Sequence, residues 1–257
     1  MLPPPPAPSR AEEVFGPRLG TAERYVALLA TTGIAHGLLG PREGPRLWER
    51  HVLNCAVLAD LIPAAGPGRR LIDVGSGAGL PGLVLAITRP DLEVHLVEPL
   101  ARRTTWLTCA VAELALSNVT VHTARAESLW GELTAPWVTA RAVTGIVRLA
   151  EWTLPLLDVP GQLLALKGGH GRTELARAEG ELRRLGVGRA EAIAITDPAG
   201  VGETTVLRLV LDRSVDVRSL RAGGRTSAGS ARRRQDRHRG RRDGNVTGRG
   251  ARVRRGG

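Results

Sequence analysis

The sequence predicts an α/β fold: a mostly parallel sheet of seven strands with helices on both faces, preceded by two N-terminal helices. Three observations carry this expectation. Short apolar, β-rich segments alternate with segments of helical period between residues 71 and 186. A loop with four glycines, Gly75, Gly77, Gly79 and Gly82, joins the first of these strands to its helix. The last two apolar segments, 190–196 and 204–211, have only a loop between them, which an antiparallel pair permits.

The elements follow in order. "TAERYVALLAT" (21–31) and "RLWERHVLNCAVLADLI" (46–62) carry apolar positions at helical spacing, and Pro63 closes the second. "LIDV" (71–74), flanked by breakers, reads as a buried strand, and Pro81 suits the first turn of the next helix, where a missing N–H does no harm. "LEVHLVE" (92–98) is a second strand and "ARRTTWLTCAVAELAL" (101–116) a helix. "VTVHTA" (119–124) and "WVTARAV" (137–143) are the third and fourth strands, and a helix near 145–157 precedes a fifth, "GQLLALKGG" (161–169). "TELARAEGELRRLG" (173–186) is a helix closed by glycine. Strands alternating with helices imply a parallel sheet covered on both sides.

At 257 residues and 42% hydrophobic, the chain has material for one good-sized core. The net charge of +11 is uneven: residues 213–257 hold 15 arginines against three acids, while residues 1–212 are close to neutral. The expected organisation is a disordered proline-rich lead-in over 1–19, a catalytic domain over 20–212, and a disordered arginine-rich tail over 213–257. No apolar run approaches a membrane span, so a cytoplasmic monomer with no membrane partner is expected. Cys55 and Cys109 read as reduced thiols, and the six histidines lack metal-ligand spacing, so no metal site is expected.

In an open α/β sheet, ligands bind beyond the carboxyl ends of the strands, where strand order reverses. Glycine there lets backbone N–H groups approach a ligand with no Cβ in the way. Asp73 ends the first strand, and Glu98, 25 residues later, ends the second, where a carboxylate can accept both ribose hydroxyls. Nucleoside recognition follows, with two cofactor classes open. Gly77-x-Gly79-x-x-Gly82 formally satisfies the dinucleotide pattern of an NAD(P)-dependent dehydrogenase. Asp73-x-Gly75-x-Gly77-x-Gly79 is the better frame, because a carboxylate at the loop opposes a pyrophosphate but suits S-adenosyl-L-methionine, a sulfonium without phosphate.

The run "LIDVGSGAGLPGLVLAITRPDLEVHLVEPLARRTTWL", with "RHVLNC" before it and "ARAESL", "TARAV" and "ALKGG" after it, resembles the RsmG (GidB) family of ribosomal RNA methyltransferases over about residues 20–211. The resemblance implies a class I, Rossmann-like methyltransferase fold and S-adenosyl-L-methionine as donor. It further implies methyl transfer to N7 of one guanine in 16S rRNA of the small ribosomal subunit or its precursor, beside the decoding centre. Carried over by motif, the cofactor positions are Gly75, Leu80, Glu98, Ala126, Glu127 and Arg141, with Arg125 matching a basic position of the family; Asp73, Gly77 and Gly79 join them from the reading of the loop itself. Two departures fall on the substrate side: "HGLLGPRE" replaces the family's frequent Asn-Leu-Thr segment, and Thr204 or Thr205 stands where a late arginine is expected.

Guanine N7 carries an in-plane lone pair and no proton near neutral pH, so attack on a sulfonium methyl needs alignment and no general base. Arg125, Arg141 and Lys167 are therefore the catalytic candidates by position, and Asp73 or Glu127 could offset charge developing on the purine. RNA contact needs phosphate partners and a stacking surface. Arg46, Arg50 and His51 flank Trp48 in "RLWERH", and Trp48 reads either as a stacking face or as core packing. Lys167 is the only lysine among 36 basic residues, and its compact ammonium could reach a phosphate or a carbonyl where a guanidinium would not fit. The arginine tail reads either as an aid to RNA encounter or as an extension without catalytic role. A noncatalytic RNA-binding protein with a nucleoside pocket is the alternative outside enzymology.

Overall fold

The structure is a computed structural model that describes residues 3–64, 68–141, 143–196 and 203–221. Seven strands form one sheet in the order β3-β2-β1-β4-β5-β7-β6. They are β1 (Arg70–Val74), β2 (Glu93–Glu98), β3 (Val119–Thr123), β4 (Ala135–Arg141), β5 (Leu157–Lys167), β6 (Val187–Thr196) and β7 (Glu203–Leu211). The first five pair in parallel; β7 inserts antiparallel between β5 and β6. All seven expected strands are present. The chain builds β1 to β3 toward one edge, then returns to place β4 on the other side of β1, so strand order reverses between β1 and β4.

Helices α4 (Gly82–Thr88) and α5 (Ala101–Glu113) follow β1 and β2, and α6 (Ile146–Thr153) and α7 (Gly171–Arg184) follow β4 and β5. β1 alternates its faces: Leu71 joins the core formed by α4, α5 and the N-terminal helices, through Leu83, Leu85, Leu107 and Tyr25. α4 is apolar all round, every residue from Gly82 to Ile87 being buried, because it is enclosed by the sheet on one side and N-terminal helices on the other. α7 shows the opposite pattern, with Leu175, Ala178 and Leu182 buried on one stripe and arginine and glutamate elsewhere.

The N-terminal region departs from expectation. The lead-in expected to be disordered is ordered from residue 3: residues 3–8 lack helix or strand, α1 spans Ser9–Phe15, and α2 spans Leu19–Leu28. Ala11 and Phe15 are buried, Phe15 meets the Trp48 ring edge-on at 6.2 Å, and the Trp48 indole N–H donates to Pro5 O at 3.1 Å. Two apolar anchors and a buried tryptophan therefore offset the ordering entropy that a proline count alone suggests is unmet. The helix expected over 46–62 is broken up: a 3₁₀ segment at Pro41–Arg46, wide π-helical turns at Leu47–Leu53, then α3 at Asn54–Ala56. Widened turns of this kind re-aim side chains, and here they turn His51 inward.

Compact unit one spans Met1–Val215, so the lead-in belongs to it; unit two spans Asp216–Gly257. Within the second, residues 217–221 form a helical turn capped by Asp216, whose carboxylate accepts the Arg218 and Ser219 amides at 3.0 and 3.2 Å. The rest of the arginine-rich tail, 222–257, lies outside the described residues.

Candidate active site

The glycine loop is built from three residues in the left-handed region, Gly75, Gly77 and Gly79, at φ of 74°, 56° and 87°. It is pinned from three sides. The Ser76 hydroxyl donates to Asp73 O at 2.8 Å. Tyr25, the only tyrosine and fully buried on α2, donates its hydroxyl to Ala78 O at 2.7 Å. Beneath the loop, the Asp73 carboxylate accepts the Gly82 amide at 3.1 Å and the Thr139 hydroxyl at 3.2 Å. Burial pushes the Asp73 carboxyl up to about 6, against the pull of these hydrogen bonds and of Arg141.

Beyond the strand ends lies a cavity of about 410 Å³, at the reversal of strand order. Its walls come from Val74 and Gly75 at the end of β1, Glu98 and Leu100 at the end of β2, Arg125 to Glu127 after β3, and Arg141 and Val143 at the end of β4. Trp152 of α6 and Arg103 of α5 complete it. Glu98 is 2% exposed, and its carboxylate accepts the Gly77 amide and the Leu100 amide, each at 3.1 Å, and the Arg103 guanidinium at 3.4 Å. Leu100 and Val143 are two large apolar residues left exposed, and both line this cavity. An apolar wall with one buried carboxylate suits a ligand that is part hydrocarbon or purine face and part polyol.

Gly75, Glu98, Arg125, Ala126, Glu127 and Arg141 thus converge on one cavity. Gly77 joins them through its amide on Glu98. Three others do not line it. Gly79, the third glycine of the loop, and the buried Leu80 face the core, where an added Cβ on Gly79 would press on Leu83. Asp73 faces Gly82 and Thr139 rather than the cavity, so it is not placed to answer charge on a bound purine.

The substrate-side candidates are dispersed. His51 is 5% exposed, its ring nitrogens engaged by Arg141 and by Glu43, so it presents no surface to RNA. Trp48 is buried as core packing. Arg46 and Arg50 are exposed, and Arg50 pairs with Glu43 at 3.0 Å. Lys167 donates to Thr144 O at 2.5 Å and to Glu174 at 3.2 Å, while Glu174 also accepts the Ile146 amide that opens α6. The lone lysine reaches a carbonyl, and it braces α6 and α7 away from the cavity. Thr204 and Thr205, one of which stands where a late arginine is expected, are both buried, and Thr204 accepts a hydrogen bond from Asn54. Among the described residues, no helix is long and apolar enough to cross a membrane.

With this geometry in place, comparison with known proteins decides the family. The family model described as "GidB: rRNA small subunit methyltransferase G" matches residues 18–195. This chain belongs to that family. Relatives named ribosomal RNA small subunit methyltransferase G agree: one from Pseudarthrobacter chlorophenolicus is 50% identical over 79% of this chain and 93% of that protein. Another, from Thermobifida fusca, is 49% identical over 84% of this chain and 90% of its own length. Among solved structures, the S-adenosylmethionine-dependent methyltransferase SibL aligns with a TM-score of 0.54 at 18% identity, covering 74% of this chain and 62% of that one. The N-methyltransferase NodS from Bradyrhizobium japonicum aligns at 0.50 and 11% identity, covering 72% of this chain and 99% of that one. At these identities the two structures speak to fold alone, and the fold is the class I methyltransferase fold.

Sequence reasoning missed Tyr25 and Trp152. Arg102 and Arg103, opening a helix just past Glu98, read as a solvated pair or as one offset by a local carboxylate or an RNA phosphate, and Arg103 meets the Glu98 carboxylate. The only tyrosine of the chain was a usable signal. Trp152 had none, because only the return of α6 over the loop after β3 brings it to the cavity.

Proposed function

We propose that this chain transfers the methyl group of S-adenosyl-L-methionine to N7 of a guanine in the 16S rRNA of the small ribosomal subunit. The observation that carries the reading is the convergence of Gly75, Glu98, Ala126, Glu127 and Arg141, all positions matched to the family, on the cavity at the strand-order reversal. These residues fit the cofactor. Glu98, held by the Gly77 and Leu100 amides and by Arg103, keeps acceptor capacity on Oε1 for a ribose hydroxyl. Leu100 and Val143 offer faces to a purine, and the Ala126–Glu127 turn offers an edge. When bound, S-adenosyl-L-methionine supplies a sulfonium methyl as electrophile. The protein's part is alignment: N7 needs no base, so the site must hold the guanine in line and exclude water.

The dehydrogenase reading is disfavoured by one contact. In a dinucleotide fold the pyrophosphate takes the amides at the start of the helix after the glycine loop. Here the Gly82 amide is already taken by the buried Asp73 carboxylate, which places negative charge where a phosphate would lie. The arginine tail, +12 by sequence, fits an aid to RNA encounter through phosphate contacts. Removing residues 213–257 should flatten the salt dependence of methylation and leave its rate at low salt nearly unchanged.

The deciding experiment compares the mass of 16S rRNA fragments from cells with and without the gene. Loss of one methyl from one guanine fragment, restored by the intact gene, supports the reading. An unchanged set of methylated guanines refutes it and favours a noncatalytic RNA binder.

A further inference from the structure

Arg141 leaves the cavity wall along a buried chain of polar contacts. One of its Nη atoms meets His51 Nδ1, and the other reaches Cys55 Sγ at 3.1 Å and His51 O at 3.4 Å. The far nitrogen, His51 Nε2, meets Glu43 Oε2 at 2.7 Å, and Glu43 Oε1 accepts Arg50 at 3.0 Å. A guanidinium only donates and a carboxylate only accepts. The His51 ring between them is therefore neutral, accepting at Nδ1 and donating from Nε2 to Glu43.

We propose that His51 and Glu43 are positioning residues for Arg141, the neutral imidazole holding the guanidinium in the orientation that receives the cofactor. This rests on reading the cavity as the S-adenosyl-L-methionine site. An arginine at a cavity wall has many rotamers, and binding is weakened by each one that must be abandoned. The π-helical turns at Leu47–Leu53 bring both the ring and the carbonyl of His51 onto one guanidinium, which removes that freedom beforehand.

The arrangement has a pH signature. His51 faces Arg141 of β4, Glu43 of the preceding 3₁₀ segment and Arg50 of its own; Cys55, one turn further on, meets the same guanidinium, and Asp73 feels its charge. Protonation would put a hydrogen on Nδ1, remove the acceptor and set two cations together. Burial first, then Arg141, lowers the His51 titration below its ordinary 6.5, so the hold persists at neutral pH and is lost on the acid side.

The test uses the full chain in two arms. In the first, ¹⁵N NMR follows His51 in the wild type and in Arg141→Gln. The expected result is an Nε2–H tautomer titrating below the usual histidine range, with a clear upward shift once the guanidinium is gone. In the second, calorimetry measures S-adenosylhomocysteine affinity from pH 5 to 8. His51→Ala should weaken binding about tenfold at pH 7.5, and Glu43→Gln about threefold. His51→Asn, whose Oδ1 can replace Nδ1 as acceptor, should recover most of the loss and abolish the acid limb seen in the wild type. A His51 titration that ignores Arg141→Gln, or a His51→Ala variant with wild-type affinity and pH profile, overturns the proposal. Absence of binding by the wild type at every pH would instead overturn the cofactor reading, and the NMR arm would still judge the His51–Arg141 link.

Discussion

Glu98 Oε2 accepts the Gly77 amide at 3.1 Å, so the acidic end of β2 and the glycine loop after β1 form one unit across the cavity floor. The same carboxylate accepts Leu100 N, and Arg103 lies against it. Glu98→Gln retains one carbonyl acceptor but loses the charge and the second acceptor. It should lower S-adenosylhomocysteine affinity by about 10- to 100-fold, the value of a charged hydrogen bond. Calorimetry measures this. Glu98→Ala should in addition destabilise the fold by about 1–3 kcal/mol, because two amides lose their partner, and urea unfolding reads that separately.

Close packing at the start of α4 gives a second prediction. A Cβ on Gly82 would lie 2.7 Å from Asp73 Oδ2 and press on Leu96. Gly82→Ala should destabilise by about 2–3 kcal/mol, as overpacking does in a filled core. At Gly169 an added Cβ meets nothing within 4 Å, so Gly169→Ala should stay within about 0.5 kcal/mol of wild type. Urea midpoints of the pair provide the comparison.

Tyr25→Phe removes a single hydroxyl, leaving the Ala78 carbonyl buried without its donor. The expected loss is about 1–2 kcal/mol of stability. Amide hydrogen exchange at Ala78 and Gly79 should accelerate relative to the centre of β1, because α2 no longer tethers the loop. Exchange unchanged at these amides would remove Tyr25 from the site's support.

Asp73 predicts a pH dependence of stability. Its carboxyl is raised from 3.8 to about 6 in the fold, so between those values the folded state holds a proton that the unfolded chain has lost. Stability from this group therefore falls as pH rises from about 4 to about 6 and is level above. The size is of order 2–3 kcal/mol. Asp73→Asn can still accept from Gly82 and, with Thr139 turned to accept, keep both contacts, but it has no charge to bury. It should be more stable than wild type at pH 7.5, with the gap closing by pH 4. Urea midpoints at the two pH values check this, and a pH-independent gap would contradict it.

The strands were legible because each is a short apolar run bounded by glycine, proline or a charged turn. Burial on both faces of a parallel sheet leaves that mark directly in the residues. Glu98 was legible at the end of the second strand, where the topology puts ligands, whereas the Ala126–Glu127 turn came only from the family resemblance; both line the cavity. What was not legible depends on contacts between distant segments. The proline-rich start is ordered by Phe15 and Trp48, 33 residues apart in the chain, and local composition cannot report such a pair. Asp73 was read as facing the ligand, yet the glycine turn swings the loop over it and gives its carboxylate to Gly82. His51 looked like part of a basic RNA-facing helix until the widened turns brought it onto Arg141. Lys167 was read as facing the site, with an ammonium to offer a phosphate or a carbonyl; the fold gives that ammonium to Thr144 O and Glu174, and Lys167 does not line the cavity.

The central claim is that the cavity beside Gly75 and Glu98 holds a sulfonium nucleoside and no dinucleotide. Calorimetric titration of the full chain with S-adenosylhomocysteine, and in parallel with NAD, tests it most directly. The account predicts one saturable site for the former, weakened by Glu98→Gln, and no heat from the latter. Saturable NAD binding with no response to S-adenosylhomocysteine would contradict it.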